Sequence, residues 1–253
     1  MNRFDLYELC VQSTDHLVPL LRALHGRQPR VLGEDFAGTA ALSHSWVEAI
    51  TDASAIAVDL DEQALAHHAE HASIARHGAD VRTVADAVDV LFVGNFSIGY
   101  MQTRAELVSY LRHARERLTP GGVFVCDTYG GENAYTLGHV HRHHILPDGR
   151  RVRYTWEQRE ADPLTARVVD VLHFRIERGG VIEDEWTDAF VYDWRLWSVP
   201  ELRDAMAEAG FDRTDIYQKL PDAEDDEGNI YLDPVTNPDD LEESFIVLVA
   251  GRC

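Results

Sequence analysis

Two acidic residues close short apolar runs in a way that could place carboxylates beside a ligand. Glu34 ends the run PRVLGE, and Asp59 follows 25 residues later in the run SAIAVDL. The segment after Glu34, DFAGTA, holds small residues that let a backbone approach a ligand. A helix beginning there offers unpaired N–H groups to a carboxylate or phosphate. Asp59 stands where an acid can accept hydrogen bonds from both hydroxyls of a ribose.

Three histidines alternate along one predicted strand and form a second group that could do chemistry. His139, His141 and His143 share one face of such a strand and could hold a divalent cation. No carboxylate or cysteine stands there at ligand spacing, and four arginines crowd the hairpin: Arg142, Arg150, Arg151 and Arg153. The pattern therefore predicts no metal site. It favours a solvated or substrate-facing strand that attracts an anionic substrate.

The elements that must position these residues follow two patterns, which change near residue 130. Before that point short apolar runs alternate with helical patterns, as in the strand and helix units of a parallel sheet. The predicted strands are PRVLGE, SAIAVDL, DVRTVA, DVLFVGN and GVFVCDTY. The predicted helices are 5–25 with a break near Pro19, ALSHSWVEAI, a segment from Asp61 to about Gly78, and Thr103–Leu118.

From about residue 138 the hydrophobic period becomes two, which predicts an antiparallel meander. Its strands are HVHRHHIL, RRVRYTWEQ, ARVVDVLHFRIE and VIEDEWTDAFVYDW. Ser198 then caps a helix over VPELRDAMAEAG, with Glu201 at the capping-box position. The closing strands are FDRTDIYQKL and SFIVLVAG. The acidic loop between them, 222–243, is predicted to be a functional flap or a mobile surface segment.

Five stretches follow one another in an informative order and spacing. They are VLGEDFAGTAALS, AVDLD, DVLFVGNFS, the helix ending in LTPGGVFVCDTYGG, and the WSVPELRDAMAEAGF helix followed by two strands. Together they resemble the class I S-adenosylmethionine-dependent methyltransferases of small-molecule type. The resemblance implies an α/β fold with a three-layer Rossmann-like sheet, mostly parallel with an antiparallel last strand, in the order 3-2-1-4-5-7-6. It also implies S-adenosyl-L-methionine as the cofactor.

The same resemblance divides the chain into two parts. Residues 1–131 and 194–253 are expected to form the cofactor-binding core. Residues 132–193 are expected to form an inserted antiparallel β subdomain that acts as a lid, as a substrate-binding wall or as a dimer contact.

Roles for single positions follow from matching them to the family's motifs. Glu34 is expected near the cofactor's amino group, and Asp59 at its ribose. Gly38 with Thr39 is expected under the methionine part, and Asp86 near adenine. Tyr7 and Gln12 of the N-terminal segment are expected to close over the cofactor as a lid, and Asn95 with Phe96 is expected under the transferring methyl. The full set of expected cofactor-binding residues is Tyr7, Gln12, Glu34, Phe36, Ala37, Gly38, Thr39, Asp59, Leu60, Asp86, Ala87, Asn95 and Phe96.

Two departures from the family pattern stand out. Of the usual three-glycine loop only Gly38 remains, because Phe36 and Ala40 replace the other glycines. The predicted third strand, DVRTVA, is also too close to the fourth. The connection between them must cross three strand spacings, about 14 Å, and also run back one strand length, roughly 17 Å, because both strands are parallel. Residues 86–88 extend over only about 14 Å. Strand three is therefore very short or absent, or a segment is missing there.

Composition excludes several classes of partner. The net charge of −21 disfavours DNA, RNA and acidic membrane surfaces. No window approaches 18 consecutive apolar residues, and three scattered cysteines do not form a disulfide framework, so we expect a cytoplasmic protein. Every basic residue except Lys219 is arginine, which is most simply a coding bias of the source genome.

The sequence thus predicts methyl transfer by in-line displacement to a small-molecule acceptor, for which an anionic molecule is one candidate. A general base is needed only if the acceptor arrives protonated, and the candidates are Tyr100, Asp127, Tyr129 and His139. One alternative is a nicotinamide-dependent oxidoreductase, which GEDFAG in place of GxGxxG disfavours. Another is a non-catalytic protein of the same fold that binds the cofactor or a nucleotide. A homodimer is a possible assembly.

Overall fold

A computed structural model of the chain describes residues 1–253 apart from Ser13, Asp15 and 225–229. The helices within these residues are α1 (Arg3–Cys10), α2 (Leu17–His25), α3 (Ala41–Ala49), α4 (Glu62–Leu65), α5 (Arg104–Arg117) and α6 (Val199–Ala209). The strands are β1 (Val31–Asp35), β2 (Ser54–Asp59), β3 (Ile74–Gly78), β4 (Val88–Val93), β5 (Leu118–Gly131), β6 (Gly138–Ile145), β7 (Arg151–Asp162), β8 (Arg167–Arg178), β9 (Val181–Arg195), β10 (Arg213–Gln218), β11 (Ala223–Glu224), β12 (Ile230–Tyr231) and β13 (Ser244–Arg252). Short 3₁₀ helices cover Ser97–Tyr100 and Pro238–Asp240.

The larger unit, Thr14–Glu132 with Trp197–Cys253, is built on a seven-stranded sheet. The strand order is β10-β13-β5-β4-β1-β2-β3, and only the pairs that involve β13 are antiparallel. Buried side chains of α5 and α6 pack on one face of this sheet, and those of α2 and α3 pack on the other. The predicted three-layer α/β sheet and its order are therefore confirmed.

The smaller unit, Met1–Ser13 with Asn133–Leu196, is built on the four-stranded antiparallel sheet β6-β7-β8-β9. Leu6 and Cys10 of α1 are buried against one face of this sheet, together with Val152 and Phe174. The sequence division had placed the N-terminal segment with 1–131 of the core. It groups instead with the meander because the apolar side chains of α1 are buried in the meander's own core.

Strand three lies earlier in the chain than its pattern predicted. β3 pairs in parallel with the edge of β2, and the segment DVRTVA is loop. The helix predicted from Asp61 to Gly78 is wrong as well, because α4 ends at Leu65. Val81 and Val84 are nevertheless buried, so their apolar spacing reflects packing into the core and not a strand.

This position of β3 removes the geometric contradiction in the connection to β4. Residues 79–87 now make the crossing, and an extended chain of that length reaches roughly 30 Å. That length is enough to cross three strands and return to the starting edge. Strand three is thus present, and the chain needs no missing segment.

α1 ends at Cys10 and α2 begins at Leu17, so the predicted break of the N-terminal helical stretch does not fall at Pro19. Pro19 lies in the first turn of α2, where an N–H has no intrahelical acceptor and a proline is tolerated. α2 ends at Gly26, which adopts the left-handed φ of 72° and donates its N–H to the Arg22 carbonyl.

A buried ion pair fixes α5 against the end of β1. Nη1 of Arg117 lies 2.9 Å from both carboxylate oxygens of Asp35, and the Tyr110 hydroxyl donates to the same carboxylate at 2.7 Å. Arg117 and Asp35 are 2% and 1% exposed. Since Asp35 follows Glu34 directly, these contacts hold the loop after β1 in place.

Two further expectations concern the chain's surface. No helix within the described residues is long and apolar enough to cross a membrane. The acidic loop 222–243 contains the small ladder β11–β12 and the 3₁₀ turn Pro238–Asp240. Its residues 225–229 lie outside the described part, so its predicted role as a flap or mobile segment stays a prediction.

Candidate functional site

The carboxyl ends of β1 and β2 meet at a loop that Asp59 fastens. Gly38 donates its N–H to Oδ2 of Asp59 at 2.7 Å, and Asp61 donates its N–H to Oδ1 at 2.8 Å. Ala37 donates its N–H to the Val58 carbonyl at 2.9 Å. Burial raises the pKa of Asp59, and these N–H donors oppose that rise. The Leu60 backbone N–H also bonds to this carboxylate, whose remaining acceptor capacity is open to a further donor.

The loop after β1 keeps the backbone of a glycine-rich loop although two of its glycines are replaced. Phe36, Gly38 and Ala40 have φ values of 59°, 55° and 59°. Glycine adopts this left-handed region at no steric cost, whereas other residues pay roughly 1 kcal/mol or more. Such strain persists only where the surroundings enforce it, and it clusters at ligand sites.

Glu34 is buried and bound to the first turn of α3. Its Oε2 accepts hydrogen bonds from the Ser43 backbone N–H at 2.9 Å and from the Ser43 hydroxyl at 2.6 Å. The side chain is therefore fixed at the helix N-terminus, where the helix dipole favours a negative charge.

The loop residues fit an adenosyl cofactor by two independent observations. The Thr39 hydroxyl is buried and has no hydrogen-bond partner in the described part of the chain. A Cβ added to Gly38 would meet no atom within 4 Å, so the space above this glycine is open. Leu60, beside Asp59, is 74% exposed and offers an apolar surface there.

Asp127 organises the neighbouring part of the same sheet edge. This carboxylate is fully buried and accepts hydrogen bonds from the backbone N–H groups of Asn95 at 3.1 Å and Phe96 at 2.7 Å. Nζ of Lys219, at the end of β10, donates to it at 3.2 Å and lies 5.8 Å from the centroid of the Phe96 ring. Asn95 and Phe96 are both left-handed, with φ of 53° and 63°, so Asp127 holds a strained turn.

Aromatic contacts join the predicted site residues at this edge. The Phe36 ring stacks on Tyr100, with centroids 5.5 Å apart, and this contact links the loop after β1 to the segment after β4. The Phe96 ring meets Tyr129 edge-on at 4.9 Å. The loops that carry Phe36, Gly38, Asp59 and Phe96 therefore surround one sheet edge.

The predicted adenine segment is displaced. Asp86 and Ala87 are exposed and do not follow strand three; Asp86 contacts His77 at 3.5 Å, and its carbonyl accepts from Arg117 at 3.3 Å. The residues directly after β3 are Ala79, Asp80 and Val81, and Ala79 donates its N–H to the Asp59 carbonyl at 3.1 Å.

Sequence reasoning missed the segment after β3 because it placed strand three too late. Val81 is 4% exposed, and Asp80 forms an ion pair with Arg82. The signal that could have found this segment is the Gly78-Ala79-Asp80 sequence, which resembles a strand end followed by an acid.

Three of the predicted site residues belong to the smaller unit. The Tyr7 ring packs on Phe190, with centroids 5.0 Å apart, and Gln12 donates its N–H to the Tyr7 carbonyl at 3.2 Å. His139 lies 3.8 Å from Glu157 on β7. Their predicted roles as cofactor lid and general base stay predictions.

The same unit contains one cluster with metal-ligand character. Ligand atoms of Glu157, His173 and Asp188 lie within 4.8 Å of one another. Arg159 contacts both carboxylates, at 2.8 Å from Glu157 and 2.7 Å from Asp188, and its guanidinium offsets part of their negative charge.

Comparisons with known proteins identify the architecture. No protein-family model matches the sequence, and no curated protein does. Solved structures match along nearly the whole chain. DesVI from Streptomyces venezuelae matches with a TM-score of 0.69 at 19% identity, over 98% of this chain and 95% of its own. The chain shares this fold.

Two further structures agree. The sugar N-methyltransferase KedS8 from Streptoalloteichus sp ATCC 53650 matches with a TM-score of 0.66 at 20% identity, over 98% of this chain and 92% of its own. The amino pentose methyltransferase CalS10 from Micromonospora echinaspora, bound to SAM, matches with a TM-score of 0.66 at 16% identity, over 100% of this chain and 92% of its own. The predicted fold class is confirmed by these likenesses.

Proposed function

We propose that this protein transfers a methyl group from S-adenosyl-L-methionine to a small-molecule acceptor. The observation that carries the proposal is the loop Phe36–Ala40, which keeps three left-handed positions and hydrogen bonds to Asp59 through Gly38. A strained loop of this shape beside an acid at the next strand end suits an adenosyl group. The structural neighbours, whose names include two methyltransferases, support the same reading.

The cofactor supplies an electrophilic methyl group on a sulfonium. The chain has to bind the adenosyl part, orient the acceptor in line and exclude water, because positioning supplies most of the catalysis in such a transfer. Asp59 and the loop at Gly38 would hold the ribose and methionine parts. Asn95 and Phe96, fixed by Asp127, would shape the floor beneath the methyl group.

A small acceptor with an anionic group fits this edge better than a cationic one. Lys219 uses one of its three N–H donors on Asp127, and its side chain is 36% exposed, so two donors remain for an acceptor. Asp127 itself is fully buried and covered by donors, so it offers no surface to an ammonium group. Tyr100 and Tyr129 remain candidates for a general base.

Calorimetry and turnover test the proposal in two steps. Titration with S-adenosylhomocysteine should give saturable binding, and NAD⁺ should give none; the reverse pattern supports an oxidoreductase, and binding of neither sinks the proposal. Transfer from labelled S-adenosylmethionine to a panel of amines, phenols, thiols and carboxylic acids then tests catalysis. Binding without any transfer supports the non-catalytic alternative.

We expect Gly38→Ala to separate stability from cofactor binding. Gly38 has φ +55°, so an alanine there costs about 1 kcal/mol of folding free energy. Its methyl group would also fill the open space above the loop, and we expect affinity for S-adenosylhomocysteine to fall roughly tenfold. Chemical denaturation and calorimetry measure the two effects.

Gly26→Ala is the matched control. Gly26 has φ +72° and also has open space around its missing Cβ, but it terminates α2. It should lose similar stability and keep its cofactor affinity. Equal losses of affinity in both variants would contradict the placement of the cofactor over Gly38.

Three further expectations from the sequence belong to this proposal. The meander is proposed to serve the acceptor site or a dimer contact, and a homodimer is the proposed assembly. A cytoplasmic location is proposed from the sequence composition. Gel filtration with light scattering would decide the oligomeric state.

A further inference from the structure

The smaller sheet carries a cavity of about 320 Å³, and none of its lining residues belongs to the loops proposed to hold the cofactor. Side chains from four strands line it, among them His141, Arg153, Thr155, His173 and Arg175. Alternation along β7 places Arg153 and Thr155 on the face opposite Val152 and Tyr154, which are buried with α1. The cavity therefore belongs to the sheet's polar face.

The two acids that line this cavity, Glu157 and Glu185, already have hydrogen-bond partners. Glu157 accepts from Nη2 of Arg159 at 2.8 Å and lies 3.0 Å from Nε2 of His173. Glu185 accepts from Nε of Arg175 at 2.9 Å. Each carboxylate that lines the cavity is thus already engaged by an arginine.

Arg153 is the cation without a counterion there. Its guanidinium forms no ion pair with any residue in the described part of the chain, and its Nε is buried without a hydrogen-bond partner. The neighbouring His141 engages Thr155 through Nδ1 at 2.9 Å. Desolvation and the charges of Arg153, His139 and His143 lower the pKa of His141, which indicates a positive local potential.

A β-bulge fixes the wall of the cavity. The register between β8 and β9 shifts between Leu172 and Phe174, where β8 advances by two residues and β9 by four, so β9 bulges beside His173. The Asp188 backbone N–H donates to Nδ1 of His173 at 3.1 Å. Nε2 of His173 therefore carries the proton and donates to Glu157, which keeps that carboxylate occupied.

We propose that this cavity binds an oxyanion, a phosphate or carboxylate group of a small molecule, on the guanidinium of Arg153. A guanidinium presents a planar fork of donors that matches the two oxygens of such a group. His141 and Thr155 lie beside it and complete a polar cradle. The site consists of residues of the smaller unit alone, and none of them belongs to the loops proposed to hold the cofactor.

Calorimetry of the full chain at fixed ionic strength tests the site, with inorganic phosphate, pyrophosphate and malonate as probes. We expect saturable binding of at least one probe, and the tighter class identifies the group as phosphate or carboxylate. Arg153→Gln should weaken that binding at least about tenfold. Arg153→Lys keeps the positive charge but not the planar fork of donors, so its affinity for the probe should lie between those of the unmodified protein and Arg153→Gln.

Arg142→Gln is the control, because this substitution also removes one arginine charge from the hairpin. Arg142 lies on the face of β6 opposite His141 and the cavity. It should bind the probe as the unmodified protein does. The proposal is overturned if the unmodified protein binds no probe, or if Arg142→Gln loses as much affinity as Arg153→Gln. Since the first result needs no variant, misfolding of Arg153→Gln cannot leave the question open.

Discussion

Asp59→Asn will weaken S-adenosylhomocysteine binding about hundredfold, because charge-assisted hydrogen bonds contribute roughly 1.5–3 kcal/mol each. The carboxylate already accepts backbone N–H groups from Gly38, Asp61 and Leu60, and its remaining acceptor capacity is proposed to serve the ribose hydroxyls. Asparagine retains one acceptor oxygen and turns an NH₂ group towards the other donors. Calorimetric titration measures the change.

The pH dependence of binding provides a second readout of the same carboxylate. Burial raises the pKa of Asp59 above its ordinary value. The ionised form accepts the two hydroxyls, so affinity should fall as the pH falls through this raised pKa, earlier than for an ordinary aspartate. Asp59→Asn should abolish that fall. A pH profile identical in the variant and the unmodified protein would falsify the assignment.

Asp61→Asn is the matched control for this experiment. Its carboxylate caps α4 by accepting from the N–H groups of Gln63 and Ala64, and asparagine caps a helix equally well. Affinity should stay unchanged. The charge of Asp61 contributes to the raised pKa of Asp59, so its removal should move the midpoint of the pH profile slightly downward.

The central strands were predictable because they are buried on both faces, and the edge strand was not. β4 shows an almost continuous apolar run, whereas β3 is IARHG, in which only Ile74 is buried. Val81 and Val84 lie in a loop but pack into the core, so their apolar spacing led to the prediction of a strand there. A hydrophobic period indicates which residues are buried. At this edge of the sheet the buried residues lie in a loop, whereas the residues that pair as a strand are mostly exposed or half-buried.

The site was predictable only where its members are close in sequence to a motif. Asp59 and Gly38 were found because both follow strands with recognisable spacing. The contact between Lys219 and Asp127 joins residues 92 positions apart, and in the sequence Lys219 stands out only as the exception to an arginine bias. The fold brings Lys219, which follows β10, close to Asp127 in β5. No local sequence pattern predicts this long-range contact.

The loss of glycines at Phe36 and Ala40 illustrates a different limit. Sequence alone indicates a departure from the family loop, because a glycine marks a left-handed residue and a phenylalanine does not. The structure retains the left-handed backbone at both positions. Stacking of Phe36 on Tyr100 and the complete burial of Ala40 offset the strain.

Asp127→Ala should produce the largest loss of both stability and turnover. It leaves the partly buried N–H groups of Asn95 and Phe96 without their acceptor, which costs roughly 3 kcal/mol of unfolding free energy. For a chain of this size the melting temperature should fall by about 9 °C. The strained turn beneath the transferring methyl then relaxes, and a displacement near 1 Å lowers turnover about hundredfold.

Asp89→Ala distinguishes the role of Asp127 at the site from its structural role. Asp89 uses its Oδ2 to accept two backbone N–H groups, from Arg30 at 2.8 Å and Val31 at 3.0 Å, but at the amino end of β1. Both variants should lose comparable stability. Only Asp127→Ala should lose turnover with the best acceptor of the panel, measured well below either melting temperature. An equal loss of turnover in both would mean that Asp127 acts on the reaction only through the stability of the sheet.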